Sequence, residues 1–131
     1  MNDKTAPVWV IADQENCNLL PITPQLVGHA RVLADTLGVG VDVVLLGDGV
    51  HIHTPGLIAA GADRVFLGND PALAVYHPEI YPDVIVNLAE QHKPQIMLVG
   101  STSLGRELAP LVAAGLKTGL TAHCTDLCVN A

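Results

Sequence analysis

Short runs of apolar residues alternate along this chain with stretches in which apolar positions recur every three or four residues. Val8-Trp9-Val10-Ile11-Ala12 is a continuous apolar run bounded by Pro7 and Asp13, the pattern of a strand buried on both faces. Beyond a polar loop, Leu26, Val27, Ala30, Leu33, Ala34 and Leu37 keep helical spacing. Gly38 then stands where a helix commonly ends. Val41 to Leu46 reads as a second strand ending at Gly47-Asp48-Gly49. Thr54 to Ala60 fits a short helix, and Gly61-Ala62-Asp63 turns the chain into a third strand, Arg64 to Leu67. Gly68-Asn69-Asp70-Pro71 has the composition of a turn.

The second half repeats the alternation. From Pro78, residues Ile80, Val84, Ile85, Leu88 and Ala89 keep helical period, with Pro82 near enough to the start to be tolerated in the first turn. Ile96 to Val99 predicts a fourth strand, Gly100 to Ser103 a tight loop, and Leu104, Leu108, Leu111, Val112, Gly115 and Leu116 a long helix. Leu120 to Val129 closes the chain as a fifth strand. Strand and helix in strict alternation call for an α/β fold, a doubly wound, mostly parallel sheet flanked by helices on both faces. Ligands of such sheets enter beyond the carboxyl ends of the strands, which directs attention to the loops after the first, second and fourth strands.

At 131 residues the chain has room for one domain. Half the residues are apolar, yet only one Trp, two Tyr and one Phe are among them, so the core is aliphatic. Thirteen acidic residues oppose six basic ones, for a formal net charge of −7, and the basic residues are scattered singly. That arrangement disfavours nucleic acid and anionic membranes as partners. The N-terminus carries no basic region followed by an apolar stretch, and no apolar run approaches the roughly 20 residues of a membrane span. A cytoplasmic protein is the expectation.

Candidate chemistry is sparse. Cys17, Cys124 and Cys128 form an odd set. Residues i and i+4 of a strand lie about 13 Å apart, too far to share a metal, so all three cysteines are expected to pack. His51 and His53, two apart, would share a face on extended backbone, but no third ligand follows at a recognisable spacing. Asp13-Gln14-Glu15-Asn16 puts two carboxylates at the end of the first strand, and the expectation there is a solvated loop. A hydrolase using Asp13 or Glu15 ranks last, because no histidine or nucleophile is tied to them by spacing. Gly47-Asp48-Gly49 is expected to be a plain turn. The segment Gly100-Ser101-Thr102-Ser103-Leu104-Gly105-Arg106 combines small residues, three hydroxyls, a helix N-terminus and a fixed positive charge, the ingredients of an anion or partner contact. The competing reading is a helix cap with Arg106 paired to a neighbouring acid such as Glu107. The lysine and glycine spacing of a phosphate-binding P-loop is absent from it.

Taken together, Ile11-Ala12-Asp13, Leu19-Leu20-Pro21, Gly61-Ala62-Asp63-Arg64-Val65, Ser101-Thr102-Ser103-Leu104-Gly105-Arg106-Glu107-Leu108-Ala109-Pro110 and Gly119-Leu120-Thr121-Ala122-His123-Cys124-Thr125-Asp126-Leu127 closely resemble the N-terminal domain of electron transfer flavoprotein alpha subunits. Asp13 stands where that family usually has glutamate, and Cys17 where a glycine commonly makes the turn. The resemblance implies a Rossmann-like fold of the adenine nucleotide alpha hydrolase type, filling residues 1–131 as a single N-terminal domain. It also implies FAD held by a C-terminal domain outside this chain, with no cofactor bound by residues 1–131. The implied partners are an electron transfer flavoprotein beta subunit and acyl-CoA or other flavin dehydrogenases. No catalysis of the chain's own is expected. Ser101, Thr102, Ser103, Gly105 and Arg106 are the candidate contact loop. The alternative is a free-standing nucleotide-binding module similar to universal stress proteins.

Overall fold

The computed structural model describes residues 6–15, 18–94, 96–100 and 103–116. In chain order the elements are β1 (Val8–Ile11), β2 (Gln14–Glu15), β3 (Asn18–Leu19), α1 (Ile22–Leu37), β4 (Val41–Gly47), a 3-10 turn over Val50–His53, α2 (Thr54–Ala60), β5 (Arg64–Asn69), a second 3-10 turn over Pro71–Leu73, α3 (Ile80–His92), β6 (Ile96–Leu98) and α4 (Ser103–Leu116). Four strands form one parallel sheet in the order β5-β4-β1-β6, while β2 and β3 form a small antiparallel hairpin.

This order explains the apolar runs. β1 is paired on both sides, Val8 with Val41 and with Ile96, and every one of its residues is buried. From β1 the chain steps outward to β4 and β5, then crosses to the other side of β1 for β6. The side chains divide accordingly. Val8, Val10, Val43 and Leu45 pack with Leu26, Val27, Ala30 and Ala34 of α1 and Leu57 of α2. Trp9, Ile11, Val44 and Leu46 pack with Ile85 and Ala89 of α3 and Leu108 and Val112 of α4. Alternate strand residues face opposite sides, so the two clusters are the two faces of one doubly wound sheet.

Several boundaries differ from those the sequence suggests. β5 continues through Gly68 and Asn69, which the composition assigns to a turn, because they pair with Leu46 and Gly47. A Cβ at Gly68 would come within 2.6 Å of Leu46 Cδ2, so this glycine serves close packing rather than turning. The buried stripe of α3 is Tyr81, Ile85 and Ala89, and Ile80 is exposed at its start. The α3 helix ends with Lys93 in the left-handed region at φ 49°, whereas α1 ends on Gly38 at φ 71° as its sequence predicts. His51 and His53 lie in a 3-10 turn, not on extended backbone, and no group of three or more His, Cys, Asp or Glu among the described residues is placed to hold a metal. The expected fifth strand, Leu120 to Val129, and all three cysteines lie outside the described residues. No described helix is long and apolar enough to cross a membrane.

At the amino ends of the strands, Arg31 of α1 ties the connections together. Its guanidinium donates to the Asp63 carboxylate at 2.8 Å, to the carbonyl of Gly61 at 3.2 Å and to that of Val39 at 3.3 Å. Asp63 in turn accepts from the backbone N–H of Val41 at 2.8 Å. These bonds hold the carboxylate below its ordinary pKa, the Val41 N–H contributing most and Arg31 next.

Candidate functional site

The switch in strand order falls between β1 and β6, so the loops leaving these two strands emerge side by side at the carboxyl edge of the sheet. In sheets of this type that edge is where ligands bind. Gly100 follows β6, and a Cβ there would approach Ile22 Cγ1 to 3.1 Å, so the glycine lets α1 begin directly against this loop. Helix α4 starts at Ser103, which puts Ser103, Gly105 and Arg106 in its opening turns, with Arg106 exposed to solvent. Ser101 and Thr102 lie outside the described residues.

The loop after β1 is not the solvated segment that its composition suggests. Asp13 and Gln14 are 5% and 7% exposed. The reason is a set of bonds that no spacing rule reveals. Thr23, fully buried in the first turn of α1, accepts from the Asp13 N–H at 2.9 Å and returns its hydroxyl to the Asp13 carbonyl at 3.1 Å. Gln14 Nε2 donates to the Leu46 carbonyl at 3.3 Å and to the Tyr81 hydroxyl at 3.3 Å, and that hydroxyl donates to the Leu73 carbonyl. The ends of β1 and β4, the second 3-10 turn and the start of α3 are thereby fastened together. Burial holds the Tyr81 hydroxyl above its ordinary pKa; the Gln14 bond lowers it in part, and the Asp13 charge raises it. The hydroxyl therefore stays neutral and remains a donor.

Of the expected turn Gly47-Asp48-Gly49, Gly47 still belongs to β4 and pairs with Asn69, and the chain turns at Gly49, with φ 75°. Asn69 at the end of β5 secures it, accepting from the N–H groups of Gly49 at 2.6 Å and Val50 at 3.2 Å. Tyr76 stands edge-on to Tyr81 at 5.2 Å between ring centres. Its hydroxyl too is raised, by burial first and then by the negative charge of Glu107 on α4.

Gln14, Thr23 and Tyr81 are the residues that sequence reasoning misses. Tyr81 carried a usable signal, since it falls in phase with Ile85 and Ala89, and a tyrosine on a buried stripe needs a partner for its hydroxyl. Gln14 and Thr23 carried none.

Comparison with known proteins agrees with this architecture and narrows it. A universal stress protein solved in complex with cAMP superposes with a TM-score of 0.54 at 20% identity, covering 92% of this chain and 99% of that one. The universal stress protein of Archaeoglobus fulgidus gives 0.53 at 20% identity over 80% of this chain and 91% of its own. At such identities the likeness is one of fold, and it bears out the Rossmann-like α/β architecture. In sequence, the electron transfer flavoprotein alpha subunit of Thermoanaerobacterium thermosaccharolyticum is 42% identical over 130 residues, which cover 99% of this chain and 39% of the relative. The FixB protein of Bradyrhizobium diazoefficiens is 42% identical over 127 residues, 95% of this chain and 34% of the relative. An acryloyl-CoA reductase electron transfer subunit beta from Anaerotignum propionicum is 36% identical over 94% of this chain. This chain therefore spans well under half the length of the curated relatives it matches. A family model described as "Electron transfer flavoprotein domain" matches residues 8–131. With nearly every residue inside that match, the chain belongs to the electron transfer flavoprotein family.

Proposed function

We propose that this chain is the N-terminal domain of the alpha subunit of a heterodimeric electron transfer flavoprotein, which carries electrons between flavin dehydrogenases and a downstream acceptor. The observation that carries the reading is 42% identity to a named alpha subunit across 99% of this chain, within a relative more than twice as long. In this reading residues 1–131 serve as scaffold and as contact for the beta subunit. FAD belongs to the remaining part of the longer subunit, and the assembly works in the cytoplasm. Acyl-CoA dehydrogenases and other flavin dehydrogenases meet it through the complex.

Within this chain the contact is assigned to the loop and helix start at Ser101, Thr102, Ser103, Gly105 and Arg106. The exposure of Arg106, a fixed positive charge in the opening turns of α4, supports that assignment. Its test is Arg106→Ala, measured by sedimentation with the beta subunit. Association weakens about tenfold or more, as for a charged contact, while the melting temperature stays put. A large fall in melting temperature with association unchanged would contradict the assignment. The purified chain is also expected to be colourless, and stoichiometric flavin in it would refute the placement of FAD.

The fold likeness to a universal stress protein in complex with cAMP favours a second reading, a nucleotide-binding module. Titration with ATP and AMP separates the two, since micromolar binding supports the module and absent binding the subunit domain.

A further inference from the structure

Of all the aspartates and asparagines along the chain, one alone precedes a glycine: Asp48, followed by Gly49. That pair has a chemistry of its own. The backbone nitrogen of a residue that follows aspartate can attack the side-chain carboxyl and close a succinimide ring, and a glycine there has no Cβ to obstruct the approach. Asp48 stands immediately after β4 and is exposed, so water reaches it. Gly49 turns the chain at φ 75°, in the left-handed region that glycine adopts without penalty. In the folded domain its nitrogen is engaged. Asn69 Oδ1 accepts from the Gly49 N–H at 2.6 Å and from the Val50 N–H at 3.2 Å, and Asn69 is itself held in place by its pairing with Gly47. Ring closure needs that amide proton to leave and the peptide unit to turn, and the clasp opposes both.

We propose that Asp48-Gly49 is a site of spontaneous isoaspartate formation and that Asn69 is its guard. In the reaction the Gly49 nitrogen bonds to Asp48 Cγ, the Cγ–O bond breaks, and the carboxyl hydroxyl leaves as water with the amide proton. A second water opens the ring. Attack at Cγ restores aspartate, whereas attack at the main-chain carbonyl carbon breaks its bond to the Gly49 nitrogen and leaves the chain running through the side-chain carbon. No co-reactant is consumed and the mass is unchanged. The product carries one extra carbon in the backbone just before Val50, which is wholly buried among the residues of α1 and α2. Modification therefore unseats a core residue at the carboxyl edge of the sheet. This inference is independent of the choice of partner subunit.

The test holds the full chain at neutral pH for several days and follows isoaspartate at residue 48 by peptide mapping, with mass-spectrometric fragmentation that separates the two isomers. Asn69→Ala forms it about tenfold faster than wild type, the order expected when a hydrogen-bonded clasp is lost. Asn69→Asp keeps an acceptor oxygen and stays within about twofold of wild type. Asp48→Glu abolishes the signal, which assigns it to this residue. Equal rates in wild type and Asn69→Ala, or an acceleration in Asn69→Asp as large as in Asn69→Ala, overturn the proposal. If Asn69→Ala does not fold, the wild type decides: the chain unfolded in urea forms isoaspartate at residue 48 about tenfold faster than the native one. Equal rates in the two states, or none formed in urea, overturn the proposal as well.

Discussion

Replacing Tyr81 by phenylalanine removes one oxygen and keeps the ring, including its edge contact with Tyr76 at 5.2 Å. The Leu73 carbonyl, in a residue 7% exposed, loses the hydroxyl that donates to it, whereas Gln14 Nε2 keeps the Leu46 carbonyl as a second acceptor. Leaving one buried acceptor unmet costs about 1–3 kcal/mol, and the partial loss at Gln14 places the total near the middle, about 2 kcal/mol. Unfolding entropy is roughly 2.1 cal/mol/K per residue. For 131 residues that gives about 275 cal/mol/K, so the melting temperature of Tyr81→Phe falls by about 7 °C. Calorimetry and urea unfolding at neutral pH measure both quantities. The pH dependence is a second, independent readout. Burial raises the folded-state pKa of Tyr81, so the contribution of its neutral hydroxyl is fully present below the unfolded value of about 10 and is lost as pH rises through the folded one. Phenylalanine has no proton to lose, and the gap between the two proteins narrows as pH climbs above about 10. A loss below about 0.5 kcal/mol, or a gap that is flat with pH, would refute the role assigned to this hydroxyl.

Two other sites give expectations of different sign. Asp63 has its folded pKa lowered by the Val41 N–H and by Arg31, so its contribution is present above the unfolded value of about 3.9 and is lost as pH falls through the folded one. Its side chain is 53% exposed, which limits the effect to about 1 kcal/mol; Asp63→Asn flattens the acid limb of the stability profile, and an unchanged limb counts against the pairing. At Gly115 a Cβ would stand 2.7 Å from Val86 Cγ2 where α3 and α4 meet. Gly115→Ala gains helix propensity of up to about 1 kcal/mol yet clashes, so the variant is no more stable than wild type. In a Val86→Ala background the same change becomes stabilising, and additive effects in the double mutant would show that the two residues do not touch.

Much of the architecture was legible because burial on both faces of a parallel strand leaves a mark on the sequence. Val8 to Ile11 and Val41 to Leu46 read as apolar runs, since no position on an inner strand meets water. Gly38 marked the end of α1 because an αL residue favours glycine. Lys93, adopting the same conformation at the end of α3, gave no warning. The Ser101 to Pro110 segment signalled the family by its residues, and its start on α4 agrees with the loop-to-helix junction predicted there.

The amino-acid order by itself determined that strands and helices alternate and that the strands over Val8–Ile11 and Val41–Gly47 lie inside. It could not determine which polar residues are drawn into distant bonds. Asp13, Gln14 and Asn69 carry the composition of loops and turns, yet Asp13 and Gln14 are buried and the exposed Asn69 is bonded across the sheet end. Their partners, Thr23, Leu46 with Tyr81, and Gly49 with Val50, lie 10 to 67 residues away in sequence. Only the winding of the sheet, which sets the end of β4 and the start of α3 beside the loop after β1, brings donors and acceptors to within 3.3 Å and turns a hydrophilic stretch into a closed part of the domain.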